Sequence, residues 1–171
     1  MPGFDENCRV CNTACWADGP AAVNIAVIAD SHNLLRLDVL HWLDGIDEIL
    51  HAGDLCRPDV LARLRQIAPT VAVRGNNDDV AWAWELPVAT TLLREGVAIH
   101  MCHDRAATTP PPAAVLIING HSHRPAQQVC AGQTWLNPGA IGPRRFKLPI
   151  AAARLSIHDG QFVIREQRFN P

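Results

Sequence analysis

No charge of one sign dominates this chain. Its 15 lysines and arginines stand against 17 aspartates and glutamates, for a net charge of −2. A balance of that kind gives no strong nucleic-acid signature. Long apolar runs are also missing, and the longest falls far short of the roughly 20 residues that span a bilayer. The N-terminus has no basic stretch followed by an apolar one, so no secretory signal is read and the expected compartment is the cytoplasm. Cysteine is present without a closing pattern. Cys8, Cys11 and Cys15 give a C-x-x-C and a third thiol with no fourth ligand nearby, whereas a structural zinc site normally closes with four. Cys56, Cys102 and Cys130 are scattered, and without a signal a disulfide framework is not expected. There is no internal repeat and no linker after Val23. The expected organisation is a weakly ordered extension over residues 1–22 and one domain over residues 23–171, long enough to bury roughly two-thirds of its unfolded surface.

What is present begins with I-A-V-I-A-D-S-H-N, Ile25 to Asn33. The apolar, β-branched first half reads as a strand buried on both faces. The second half brings Asp30 and His32 at i and i+2, which on extended backbone points both side chains the same way. A helix is expected over Leu34–Leu43, ended by Asp44-Gly45. A second strand follows at Ile46–His51, running to Asp54, then a helix from Pro58 to Gln66 and a short strand from Thr70 to Val73 that empties into R-G-N-N-D. This alternation predicts parallel strands joined by right-handed crossovers. Hairpins are then expected at Val88–Leu93 with Val97–Cys102, and at Ile150–Ile157 with Phe162–Arg168. Two further strands, Val115–Ile118 and Thr134–Leu136, lead into N-G-H-S-H-R-P and N-P-G-A-I-G-P-R-R.

Polar residues gather where these strands end: Asp30, His32, Asp54, Asn76, His103, His121 and His123. In open α/β sheets that edge is the ligand-binding edge. Two carboxylates, an amide and four imidazoles, with no thiolate, form an oxygen–nitrogen donor set suited to manganese, iron or zinc. Seven donors exceed one tetrahedral site and suit two ions sharing a bridge. Such a pair can hold a hydroxide and direct it in line at phosphorus.

In order along the chain, D-S-H-N, G-D-L, G-N-N-D, the His103 segment, G-H-S-H and N-P-G-A-I-G-P-R resemble the motifs of calcineurin-like metallophosphoesterases over about Val23 to Phe169. The branch most similar is that of the small uncapped phosphodiesterases and the retromer subunit of the same fold. The resemblance implies an α/β fold of the αββα sandwich type, with two mixed sheets flanked by helices. It implies two divalent metal ions, manganese first, with iron, zinc, nickel or magnesium as alternatives. Asp30, His32, Asp54 and His123 would hold one ion; Asp54, Asn76, His103 and His121 would hold the other, with Asp54 bridging. Asp54, Asn76 and His103 are the expected catalytic residues, and Asn76 and Arg144 the expected substrate contacts. The implied activity is a metal-dependent phosphodiesterase acting on a small phosphoester. Alternatives are a phosphomonoesterase or an inactive protein-binding scaffold; a homo-oligomer is compatible with either.

Three departures from the family pattern stand out. Asn77 occupies the place of the histidine that protonates the leaving group in the family's phosphatases; the small phosphodiesterases also lack that histidine, commonly having cysteine there. Asp104 follows His103 where glycine is usual. Pro110, Pro111 and Pro112 make a helix between His103 and Val115 implausible, which predicts a thinly covered flank. Trp82 and Trp84 are expected to pack against the sheet edge, Arg74 and His51 to support the site, and His41 and His158 to lie on the surface.

Overall fold

Short strands buried on both faces form the centre of two stacked sheets. The computed structural model describes residues 22–170. The extension before Val23, with Cys8, Cys11 and Cys15, therefore lies outside the described residues. Strand β1 (Val23–Ile28) leads through helix α1 (Leu37–Trp42) to β2 (Glu48–His51), and helix α2 (Pro58–Arg65) leads on to β3 (Thr70–Ala72). These three strands run parallel, with Ile25 opposite Glu48 and Ile49 opposite Thr70. The chain then crosses to the second sheet: β4 (Ala89–Arg94), β5 (Val97–Cys102), β6 (Leu116–Ile118), β7 (Ala126–Cys130) and β8 (Gln133–Asn137). It returns as β9 (Ile150–His158) and β10 (Gln161–Phe169), antiparallel on the free side of β1. Each sheet has five strands, in the orders β10-β9-β1-β2-β3 and β4-β5-β6-β8-β7.

Alternation along the strands makes two apolar layers. Ile25, Val27, Leu50, Ile99, Met101, Leu116, Ile118 and Leu155 meet between the sheets. Ala26, Ile28 and Ile49 face the other way, against Val39 and Leu43 from α1 and Val60, Leu61 and Leu64 from α2. Both helices thus flank the first sheet. The 103–115 segment contains no helix, in keeping with its three prolines, and from that loop Arg105 and Thr108 reach Trp135 and His100 of the second sheet. At the end remote from the strand tips, Arg94 grips Glu48 with two parallel hydrogen bonds of 2.6 and 2.7 Å, tying β4 to β2.

The sequence did not announce β7. Its five residues, Ala126 to Cys130, are all exposed, with no alternation to mark an inner face. Its turn, Ala131-Gly132, adopts left-handed φ values of 50° and 78°, as do the two expected hairpin turns. Helix α1 begins three residues later than expected, because Leu34 and Leu35 lie in the loop that leaves β1.

Candidate metal centre

The parallel strands of both sheets end at the same edge, and each contributes one loop there. Asp30 and His32 follow β1, Asp54 follows β2, Asn76 follows β3, His103 follows β5, and His121 and His123 follow β6. The seven residues meet in one connected cluster. His123 Nε2 lies 3.3 Å from Asp30 Oδ1 and 3.2 Å from His32 Nε2. His32 Nε2 is also 3.6 Å from Asp54 Oδ2. Asp54 Oδ2 in turn is 3.4 Å from His103 Nε2, and Asn76 Oδ1 is within 3.0 Å of His103 Nε2 and 2.9 Å of His121 Nδ1. Donor atoms of Asp30, His32 and His123 lie within 4.8 Å of one another, and so do those of Asp30, Asp54 and His103.

Asp30 and His32 do face one place, but not by strand alternation. Strand β1 has ended at Ile28, and both residues take left-handed φ values of 54° and 41°. Asp54, His121 and His123 are left-handed too, at 60°, 70° and 58°. Such backbone costs on the order of 1–3 kcal/mol per non-glycine residue and persists where surrounding structure over-determines it. Here the loops cross-brace: Asp30 N donates to Gly53 O, His32 N to Asp54 O, and His121 N to Asp30 Oδ2.

The main organiser of this bracing is Asp78, fully buried, which the sequence reading left without a role. Its carboxylate accepts from the backbone N–H groups of Asp54, Cys56 and Gly75, at 2.9, 2.6 and 2.8 Å. An acid at the end of G-N-N-D, able to fold back on its own turn as Asp does, was the available signal. Gly75 is needed for a second reason: a methyl group there would run into Asp54 Oδ1 and Asp54 N. Gly75→Ala is expected to destabilise the fold by about 1–3 kcal/mol and to lower metal content, read by thermal melting and elemental analysis. Wild-type melting and metal content in the variant would refute the close approach.

Electrostatics sort the donors. His103 Nδ1 lies 2.7 Å from the Ala52 carbonyl, which can only accept, so Nδ1 carries a proton and Nε2 is presented to the cluster. Burial lowers the His32 pKa and takes that of His123 down to about 4, keeping both rings neutral and able to ligate. Burial pushes the Asp30 carboxyl up to about 7, against the pull of His103 and with the help of the Asp54 charge. Its Oδ1 is buried without a hydrogen-bond partner among the described residues. An orphaned acceptor of that kind costs about 1–3 kcal/mol. Facing two neutral imidazole nitrogens, it is a donor set that fits a divalent cation.

Supporting positions fall as follows. His51 is fully buried with Nε2 3.0 Å from Ser31 Oγ, and burial takes its pKa down to about 3. Trp82 packs on the helix-side layer, while Trp84 is 63% exposed. Arg144 donates to Leu148 O at 3.1 Å, whereas Arg145 Nη2 reaches to 3.3 Å from His32 Nε2. Asp104 Oδ1 accepts from Ala106 N at 2.9 Å. Asn77 gives both its backbone N–H and its side-chain amide to Asp54, at 2.8 and 2.6 Å.

Residues 23–160 match the sequence model of the calcineurin-like phosphoesterase superfamily domain. The chain belongs to that superfamily. A "probable metallophosphoesterase" of Methanothermobacter thermautotrophicus is 29% identical over 131 residues, covering 68% of this chain and 76% of the relative. Among solved structures, Vacuolar Protein Sorting 29 from Cryptosporidium parvum superposes with a TM-score of 0.69 at 16% identity, over 89% of this chain and all of that one. A "predicted phosphoesterase" from Streptococcus pneumoniae gives 0.66 at 24% identity, over 88% and 91%. These two likenesses establish the fold of the phosphoesterase. Among the described residues, no helix is long and apolar enough to cross a membrane.

Proposed function

We propose that the cluster holds two divalent cations and hydrolyses phosphoesters, with phosphodiesters preferred. Asp30, His32, Asp54 and His123 would hold one ion, and Asp54, Asn76, His103 and His121 the other. When bound, two such ions supply a nucleophilic water at neutral pH and neutralise charge on the phosphoryl oxygens. The carrying observation is the convergence of seven donors into one connected cluster that includes the partnerless Asp30 Oδ1. Asp54 touches both halves of the cluster, which supports its role as the bridge. Arg145 approaches His32 Nε2, the nitrogen a cation would need, so loading frees its guanidinium to meet a phosphoryl oxygen. Asn77, standing where phosphatases of the family carry histidine, favours the phosphodiesterase branch.

The test is metal analysis together with hydrolysis of bis(para-nitrophenyl) phosphate and para-nitrophenyl phosphate, with and without added Mn²⁺. Two bound metals and Mn²⁺-dependent turnover, faster on the diester, are expected. A monoester preference would make the protein a phosphomonoesterase; no metal and no turnover would leave the scaffold.

Metal uptake is expected to strengthen with pH. Burial works against a proton on His103, but the hydrogen bond and charge of Asp54 outweigh it and raise the pKa, so the metal-free cluster holds protons on His103 and, below about 7, on Asp30. A cation must displace them, and raising the pH removes them beforehand. Affinity for Mn²⁺ should therefore be weaker at pH 6 than at pH 8, by up to about tenfold per pH unit for each proton released. Calorimetric titration in buffers of different ionisation enthalpy reads both quantities. Equal affinity and no proton release would remove Asp30 and His103 from the ligand set.

A further inference from the structure

Beside the donor cluster, the outer face of the second sheet and the proline-containing loop enclose a cleft of about 220 Å³. His121 belongs to its wall and also touches Asn76 Oδ1, so the cleft opens directly onto the proposed two-ion centre. Asp104, Arg105, Arg124, Gln128 and Trp135 line much of the remainder. Trp135 on β8 and Gln128 on β7 are register partners, so the platform is built by two adjacent strands. Arg105, from the proline-containing loop, lies on it with its guanidinium carbon 4.3 Å from the Trp135 ring centroid. The Gln128 amide, turned with its oxygen toward the guanidinium, accepts from both terminal nitrogens at 2.9 and 3.2 Å. Stacking and hydrogen bonding together fix a planar cation in place before any ligand arrives.

Arg124 supplies a second guanidinium, which forms no ion pair among the described residues. One carboxylate opposes the two: Asp104, whose Oδ1 is turned to Ala106 N. The cleft is therefore cationic. Its volume is below the roughly 300 Å³ at which drug-sized pockets begin, which suits a small group. The Trp135 face is already taken by Arg105, which disfavours an aromatic ring stacked on it.

We infer that this cleft binds a second oxyanion of the substrate, so that the preferred phosphoester carries a phosphate on its non-scissile substituent. Arg105 and Arg124 are the residues that set this specificity. The inference rests on the two-ion reading for the position of the scissile phosphorus, and its test has an arm that does not.

In that arm, metal-free protein is titrated with inorganic phosphate and followed by calorimetry. Saturable binding is expected, weakened about tenfold or more in the Arg105→Gln/Arg124→Gln double variant, since each charged hydrogen bond lost is worth about a factor of ten. Both side chains are exposed, so the variant should fold, which a thermal melt confirms. No saturable binding by wild type, or equal affinity in the variant, overturns the inference. In the second arm, the Mn²⁺-loaded enzyme hydrolyses para-nitrophenyl ethyl phosphate and its analogue bearing a terminal phosphate on the ethyl group. Wild type should favour the analogue in kcat/KM by about tenfold, and the double variant should lose that preference. A wild-type ratio near one overturns the inference. If neither ester is turned over, the two-ion reading fails, and the phosphate titration still decides the cleft.

Discussion

Asp54→Asn is expected to leave a folded protein that no longer holds two metals and has lost on the order of 10³-fold or more in turnover. Asp54 is 2% exposed and stands between the two halves of the cluster, with Oδ2 3.6 Å from His32 Nε2 and 3.4 Å from His103 Nε2. Burial alone would raise its pKa. The hydrogen bond and charge of His103, with the two donors of Asn77, overcome that and hold it well below the usual carboxylate range. It is therefore the most readily ionised carboxylate of the site. Asparagine keeps the shape but removes the charge, and it turns an N–H toward either Asn77 or His103, both of which already donate. Lewis-acid stabilisation by a metal is worth several kcal/mol, and about 4 kcal/mol corresponds to the rate loss stated. Elemental analysis, turnover of bis(para-nitrophenyl) phosphate and a thermal melt check the three parts. Two tightly held metals with undiminished turnover would sink the bridging role.

The ordered motifs made the fold and the donor set legible because they combine two independent constraints. Buried strands demand β-branched runs, and a metal edge demands polar residues where those runs stop. Both are local in sequence. What was not legible depends on pairing at a distance. Asp78 matters through backbone groups of Asp54 and Cys56, more than twenty residues away in sequence, which its own surroundings do not mention. Strand β7 lies at a sheet edge with every side chain in solvent, so hydrophobic periodicity had nothing to record. Arg105 and Trp135 meet only because β8 and the proline loop share one flank. The pairing of Asp30 with His32 was read correctly for an incorrect reason, since left-handed backbone sets their direction. Of the adjacent arginines the sequence reading named Arg144 as the substrate contact, whereas in the structure Arg144 donates to Leu148 O and Arg145 approaches the donor cluster.

The second large effect concerns the leaving group. Hydrolysis is expected to depend steeply on leaving-group acidity, with aryl esters turning over far faster than alkyl esters. A positioned general acid contributes about 10²–10⁴-fold by protonating the departing oxygen. At the place where phosphatases of the family keep such an acid, this chain has Asn77, an amide with no proton to give. Its side chain is moreover committed to Asp54 Oδ2 at 2.6 Å, so it cannot swing out to relay a water without releasing Asp54. Asp104 is the nearest carboxyl in sequence, and its Oδ1 is engaged by Ala106 N in a turn of its own loop. An alkoxide would leave such a site unassisted, while a nitrophenolate needs no proton. The measurement is kcat for a series of substituted phenyl ethyl phosphates, extended to a dialkyl ester, with a viscosity control to confirm that chemistry limits turnover. A rate falling by several decades from the most to the least acidic leaving group is the expected result. A nearly flat dependence would show that some residue supplies the proton; Asp104→Asn would then be the variant to make, and a steep slope restored by it would identify the donor.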